Sequence, residues 1–148
     1  MLTDLCNFDL IAVEGVDAAK FLQGQLTCNV ENATPEHSIL GAYCNLSGRV
    51  ISDMRLLPYQ DGIYLLCQQG MGEVLKATLD KYIVFSKAKT HINTQQFVRF
   101  GVHGQEAASY LETLMERVPT TADEIVRLEQ GFVYRCGTDE ARFELLLH

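Results

Sequence analysis

Apolar positions along this chain switch repeatedly between a period of two and a period near 3.6. The short apolar run at Asp9–Val13 predicts a strand. Ala18, Phe21, Leu22 and Leu26 then recur on one face, predicting a helix over Ala18–Leu26. Three strands are expected next, at Ile39–Asn45, Arg49–Leu57 and Gly62–Cys67, with Asp61-Gly62 marking a hairpin turn between the last two. Met71, Val74, Leu75, Leu79 and Tyr82 return to helical spacing and predict a helix over 71–83. An extra strand at Ser86–Ile92 follows. Beyond it the pattern predicts a strand at Phe97–Val102, a helix at Gln105–Arg117, and strands at Ile125–Glu129, Phe132–Arg135 and Phe143–Leu147.

This order of elements occurs twice. Val13–Leu22 matches Val102–Leu111 residue for residue in pattern, at an offset of 89. Each copy reads strand, Gly turn, acid at the helix start, Ala-Ala, then an aromatic-Leu pair. The acid complements the helix dipole, and the glycine permits a sharp exit from the strand. The expectation is an α+β fold of two β-α-β3(-α) units with mostly antiparallel sheets, spanning 1–84 and 85–148. The second unit lacks the closing helix of the first and reads as incomplete. A half-fold of that kind would pair with a second copy or with a missing C-terminal half.

Composition adds exclusions. Net charge is −7, which argues against general nucleic-acid binding. The charge is uneven: residues 43–89 are net positive while the flanking thirds are acidic. A positive middle suits either scattered surface charge or a local site for a carboxylate or phosphate. No apolar run reaches the roughly 18 residues of a membrane span, and no basic n-region opens the chain. Cytoplasm is the default compartment. The five cysteines show no CxxC, and the histidines show no ligand spacing, so neither a disulfide framework nor a metal site is expected. Cys44 is the one cysteine beside a candidate site.

That site begins at the turn Asn45–Gly48. Simple alternation after it puts Arg49, Ile51, Asp53 and Arg55 on one strand face, a spot suited to a polar, anionic ligand. A solvated strand face would look the same.

Three blocks carry a family resemblance: FLQGQLTCNV (Phe21–Val30), LGAYCNLSGRVISDMRLL (Leu40–Leu57) and LDKYIVFSKAK (Leu79–Lys89). They resemble the YgfZ-like folate-binding proteins, relatives of the aminomethyltransferase T-protein of the glycine cleavage system. The resemblance implies a duplicated folate-binding fold, tetrahydrofolate as ligand, and a role in assembling or repairing iron–sulfur proteins, including tRNA-modifying enzymes, as clients. The family's K-G-C-Y-x-G-Q-E motif does not occur in these 148 residues. T-proteins carry a G-G-x-x-D-D block after the Asn turn and a Tyr five residues before it. Here Asp53 falls on the catalytic carboxylate, Ser52 replaces its acidic neighbour, and Leu40 replaces the Tyr. The implied function is tetrahydrofolate binding without aminomethyl transfer. The alternatives are an aminomethyltransferase using Asp53, or a non-catalytic half-fold.

The resemblance gives the candidate residues roles. Asp53 would bond the amine edge of a reduced folate or act as its acid or base; otherwise it pairs with Arg49 or Arg55. Arg49, Arg55, Lys81 and Lys87 would hold the glutamate tail, unless they are plain surface bases. Tyr82 and Phe85 would flank the flat rings, although Tyr82 also completes a packing stripe. Asn45 would read ligand polarity, although turn chemistry explains it equally. Gln23 and Gln25 fall in the first block and suit capping or packing.

Overall fold

The computed structural model describes every residue of the chain except Asp61 and Asp139; the predicted Asp61-Gly62 turn therefore lies partly outside the described residues. Two compact units form, Asn7–Thr94 and Met1–Cys6 together with Gln95–His148.

In the first unit, β2 (Phe8–Glu14) leads into α1 (Ala18–Gln23). Then come β3 (Ile39–Cys44), β4 (Val50–Tyr59), β5 (Gly62–Gln68), α2 (Gly72–Tyr82) and β6 (Lys89–Ile92). The sheet order is β3-β4-β5-β2-β6, antiparallel throughout. Ile11, Val13, Leu56 and Leu65 meet Leu22 and Leu79 in a core with no solvent exposure at these six side chains. Burying each such side chain contributes roughly 1.5–3 kcal/mol. Asp9 holds the start of α2, its Oδ2 accepting N–H bonds of 2.8 Å from Gly70 and Gly72.

The second unit holds β1 (Leu2–Asp4), β7 (Val98–His103), α3 (Ala107–Glu112), β8 (Ile125–Leu128), β9 (Gly131–Arg135) and β10 (Arg142–Leu147). Its sheet order is β1-β7-β10-β9-β8. Val102, Val133 and Phe143 pack with Ala107 and Leu111. Read from the opposite edge, the first sheet has the same plan: β6-β2-β5-β4-β3. The repeat in the sequence is a repeat of topology.

Three expectations change. The strand predicted at Ser86–Ile92 begins only at Lys89, after a 3₁₀ turn at Ile83–Phe85, and it pairs with β2 in the first sheet. The unit boundary therefore falls at Thr94/Gln95 rather than at 84/85. The amino-terminal strand β1 went unpredicted, being three exposed residues that only pairing with β7 makes a strand. Both short helices end early. α1 stops before Gly24, and α3 stops where Thr113 Oγ1 turns back to the Tyr110 carbonyl at 2.6 Å.

Candidate functional site

The β3–β4 turn is built by one side chain. Asn45 Oδ1 accepts the N–H groups of Ser47 and Arg49, each at 3.0 Å, while the Asn45 carbonyl accepts that of Gly48 at 2.9 Å. Gly48 takes φ +76°, which a residue with a Cβ adopts with strain. The carbonyl oxygen of Asn45 is thus committed to the turn. Beyond it the register slips: Tyr43 pairs Ser52 but Cys44 pairs Val50, so two residues of β4 stand against one step of β3. Val50 and Ile51 are both exposed as a result. The bulge breaks the alternation expected from Arg49 to Arg55, so Arg49 leaves the common face. Asp53 and Arg55 remain on one face, the one turned away from α1 and α2, because Met54 and Leu56 point into the helix-covered core.

Asp53 is exposed. Arg55 is half-buried and donates from Nη1 to Ser38 Oγ at 2.7 Å. Ser52 is buried and closes its own hydroxyl onto the Asp53 carbonyl at 2.9 Å. A carboxylate at position 52 would have to sit uncharged or unpaired among Met54 and its neighbours, whereas serine satisfies itself locally. Burial, reinforced by the charges of Asp9 and Asp53, pushes the Cys67 thiol up to about 12. Burial also raises Cys28. Neither is a nucleophile at neutral pH. Cys44 is partly exposed and free.

The other candidates lie elsewhere. Lys81 and Tyr82 end α2, Phe85 closes the 3₁₀ turn, and Lys87 precedes β6. Tyr82 is 51% and Phe85 99% exposed, so Tyr82 does not complete the packing stripe that Leu75 and Leu79 form. The Lys87 backbone is fixed: its N–H donates to Asp17 Oδ2 at 2.7 Å. This cluster stands at the β6 edge, at the end of the sheet where Glu14 pairs Lys89. Asp53 stands near the β3 edge, one residue before the Met54–Cys67 pair, at the opposite end. Three strand steps of about 4.8 Å separate β4 from β6. The first unit therefore holds two separate groups, not one cradle.

The second unit contains a buried polar trio that sequence reading missed. Arg99 on β7 donates from Nε and Nη2 to Glu144 Oε2 on β10, at 3.0 and 2.6 Å, and the Tyr134 hydroxyl on β9 donates to the same oxygen. Tyr134 has no exposure, and the Arg99 and Glu144 side chains are 21% and 12% exposed. Burial alone would raise Glu144; the Tyr134 hydrogen bond and the Arg99 charge outweigh it and hold the carboxyl below its ordinary range. Burial and Glu144 push Tyr134 well above 10. The trio lies on the face opposite Val102, Val133 and Phe143, so it too faces away from the helix. The repeat held the signal: at the offset of 89, Arg99 stands where the first copy has buried Leu10.

Comparison with known proteins places this geometry. The family model of the GCVT N-terminal domain matches residues 1–137. The chain belongs to the GCVT N-terminal domain family. It is 31% identical over 142 residues to the tRNA-modifying protein YgfZ of Hamiltonella defensa subsp. Acyrthosiphon pisum (strain 5AT), covering 96% of this chain and 42% of that one. The tRNA-modifying protein YgfZ of Buchnera aphidicola subsp. Acyrthosiphon pisum (strain APS) is 29% identical, covering 95% and 44%. The chain thus spans less than half the length of these curated relatives. Among solved structures, glycine cleavage system aminomethyltransferase T from Bartonella henselae superposes with a TM-score of 0.84 at 22% identity, over 99% of this chain and 41% of that one. Heterotetrameric sarcosine oxidase from Corynebacterium sp. U-96 superposes with a TM-score of 0.66 at 12% identity, over 99% and 74%.

The GCVT N-terminal domain thus supplies two sheets, each with a helix-free face carrying an acid in a different state. Asp53 is exposed and reachable, while Glu144 is clamped. Among the described residues no group of His, Cys, Asp or Glu is arranged to hold a metal ion, and no helix is long and apolar enough to cross a membrane.

Proposed function

We propose that this chain provides the GCVT-type part of a tetrahydrofolate-binding protein of the YgfZ kind, supporting tRNA modification through assembly or repair of iron–sulfur proteins in the cytoplasm. The carrying observation is Asp53: an exposed carboxylate on a helix-free sheet face, beside a buried Ser52 that satisfies itself. A reduced pteridine presents N–H donors that such a carboxylate accepts. A single carboxylate without a paired acid favours binding over aminomethyl transfer. Arg55, on the same face, suits the acidic tail of the ligand. Lys81, Tyr82, Phe85 and Lys87 form a separate exposed surface; it suits contact with an iron–sulfur client, a second copy, or the carboxy-terminal part of a longer chain. Relatives of more than twice this length support the last.

The test is a titration of the chain with tetrahydrofolate under anaerobic conditions, followed by thermal melting and tyrosine fluorescence. Ligand at 100 times its Kd stabilises by about 2.7 kcal/mol, a shift of roughly 5–10 °C for a chain of this size. D53N is expected to weaken binding at least tenfold. Absence of any shift at high micromolar ligand removes the reading. Transfer of a one-carbon unit from an aminomethylated lipoyl carrier would replace it with the aminomethyltransferase reading.

A further inference from the structure

The exposed Asp53 carboxylate sits two residues from a base on the same strand face. At the rise of a strand the Cα atoms of Asp53 and Arg55 lie about 6.6 Å apart, a separation that long side chains span. Opposite charges so placed would pair on a bare strand face. Among the described residues, however, no base meets the Asp53 carboxylate. The Arg55 guanidinium instead donates from Nη1 to Ser38 Oγ at 2.7 Å.

The register of the ladder gives the direction in which that bond pulls. On β3, Ala42 lies opposite Asp53, Leu40 opposite Arg55 and Ile39 opposite Leu56. Ser38 immediately precedes Ile39, so it stands beyond Arg55 on the side away from Asp53. Ser38 is fully buried. A buried hydroxyl is costly unless it is hydrogen-bonded, and a bond from a guanidinium is among the stronger ones it can accept. An exposed ion pair is worth little by comparison. Ser38 therefore outcompetes Asp53 for this guanidinium. Arg49 has already left the face at the bulge.

We propose that Ser38 is a positioning residue: it draws Arg55 off Asp53 and so keeps the carboxylate open to the N–H donors of a ligand. The inference rests on the tetrahydrofolate reading for the identity of that ligand; the separation of the two charges stands on the register and the bond alone. Without the Ser38 hydroxyl, the guanidinium swings to Asp53, and a ligand has to displace it. The same bond accounts for two features: a fully buried hydroxyl at the start of the edge strand β3, and an acid left unpaired beside a base on β4.

The test has two arms. In the first, urea denaturation without ligand compares Asp53→Asn, Arg55→Leu and both together, each with Ser38 and with Ser38→Ala. With Ser38 in place, the two effects on the unfolding constant should multiply independently. With Ser38→Ala they should be coupled by up to about fivefold, the size of a surface ion pair. In the second arm, binding of tetrahydropterin, a reduced pteridine without the acidic tail, is followed by tyrosine fluorescence. Ser38→Ala should weaken it about fivefold, and adding Arg55→Leu to Ser38→Ala should recover about the same factor. Mere loss of packing at position 38 would give no such recovery. Coupling of Asp53 to Arg55 beside an intact Ser38, no coupling with Ser38→Ala, or weakened binding that Arg55→Leu does not restore, overturns the proposal. Absence of binding by every version overturns the tetrahydrofolate reading, and the urea arm then decides the role of Ser38.

Discussion

The trio of Arg99, Glu144 and Tyr134 is the arrangement whose removal should be felt most sharply. Glu144→Leu takes away the shared acceptor and leaves the Arg99 guanidinium, 21% exposed, without that counter-charge in the sheet. Breaking a buried ion pair from one side costs about 3–5 kcal/mol; partial exposure of Arg99 puts the expectation near the lower end, about 3 kcal/mol. Arg99→Met alone leaves Glu144 with the Tyr134 hydroxyl and should cost about 2 kcal/mol. Arg99→Met with Glu144→Leu removes both charges and fills the space with apolar atoms, so its cost should fall short of the sum by about 2 kcal/mol. Urea denaturation at pH 7 followed by tyrosine fluorescence measures all three, since the chain has no tryptophan. The pH dependence fixes the mechanism. Glu144 is held below its ordinary value, so its contribution is present above about pH 4.5 and disappears as pH falls through the folded value. Tyr134 is raised, so its contribution is present below pH 10 and is lost as pH climbs past it. Strict additivity of the two substitutions, or a Glu144→Leu penalty unchanged at pH 3, would refute the reasoning.

Three further outcomes are expected. Glu124, which accepts from the Thr120 and Thr121 backbones and from Arg117, is held at about 2; Glu124→Gln should cost about 2 kcal/mol above pH 4.5, the deficit vanishing as pH falls towards 2, measured by denaturation against pH. Gly15→Ala should destabilise by at least about 3 kcal/mol through collision with the Lys87 carbonyl and strain at positive φ, while Gly104→Ala suffers the strain alone and should cost about 1–2 kcal/mol; paired thermal melts check the difference. Asn45→Ala removes two 3.0 Å acceptor bonds at an exposed turn and should cost about 1 kcal/mol, with tetrahydrofolate binding weakened only through looser placement of Asp53, as titration of the variant would show.

The elements that could be read from the chain alone were those whose signal is local. α2 shows its stripe in Leu75 and Leu79, and β5 its continuous apolar run, because each is fixed by burial along a single segment. What escaped was decided by partners far away in sequence. β1 has no pattern of its own; three exposed residues become a strand because β7, about a hundred positions later, offers an edge. β6 reads as the start of the second unit by position, yet it pairs back to β2. The shortened α3 ends where the Thr113 hydroxyl turns back to the Tyr110 carbonyl, a detail that the apolar pattern continuing to Arg117 does not announce.

For the candidate site the same distinction holds at the scale of one residue. The turn at Asn45 was visible because Asn and Gly at that spacing have one good use. The bulge after it was not, and a bulge changes every side chain's face upstream of it, which is why Arg49 parts from Asp53. Residue types alone also make Lys81, Tyr82, Phe85 and Lys87 look like one more wall of the same cradle; the strand order carries them to the far edge. The clamped Glu144 was hidden for the opposite reason, since each of its neighbours in sequence is apolar and it resembles an isolated surface charge. Only the register joins it to Arg99 and Tyr134, and only the repeat reveals that Arg99 has taken the place of a buried leucine. Where two copies share backbone and register, a polar residue at a position that is buried and apolar in the other copy points to its partners across the sheet.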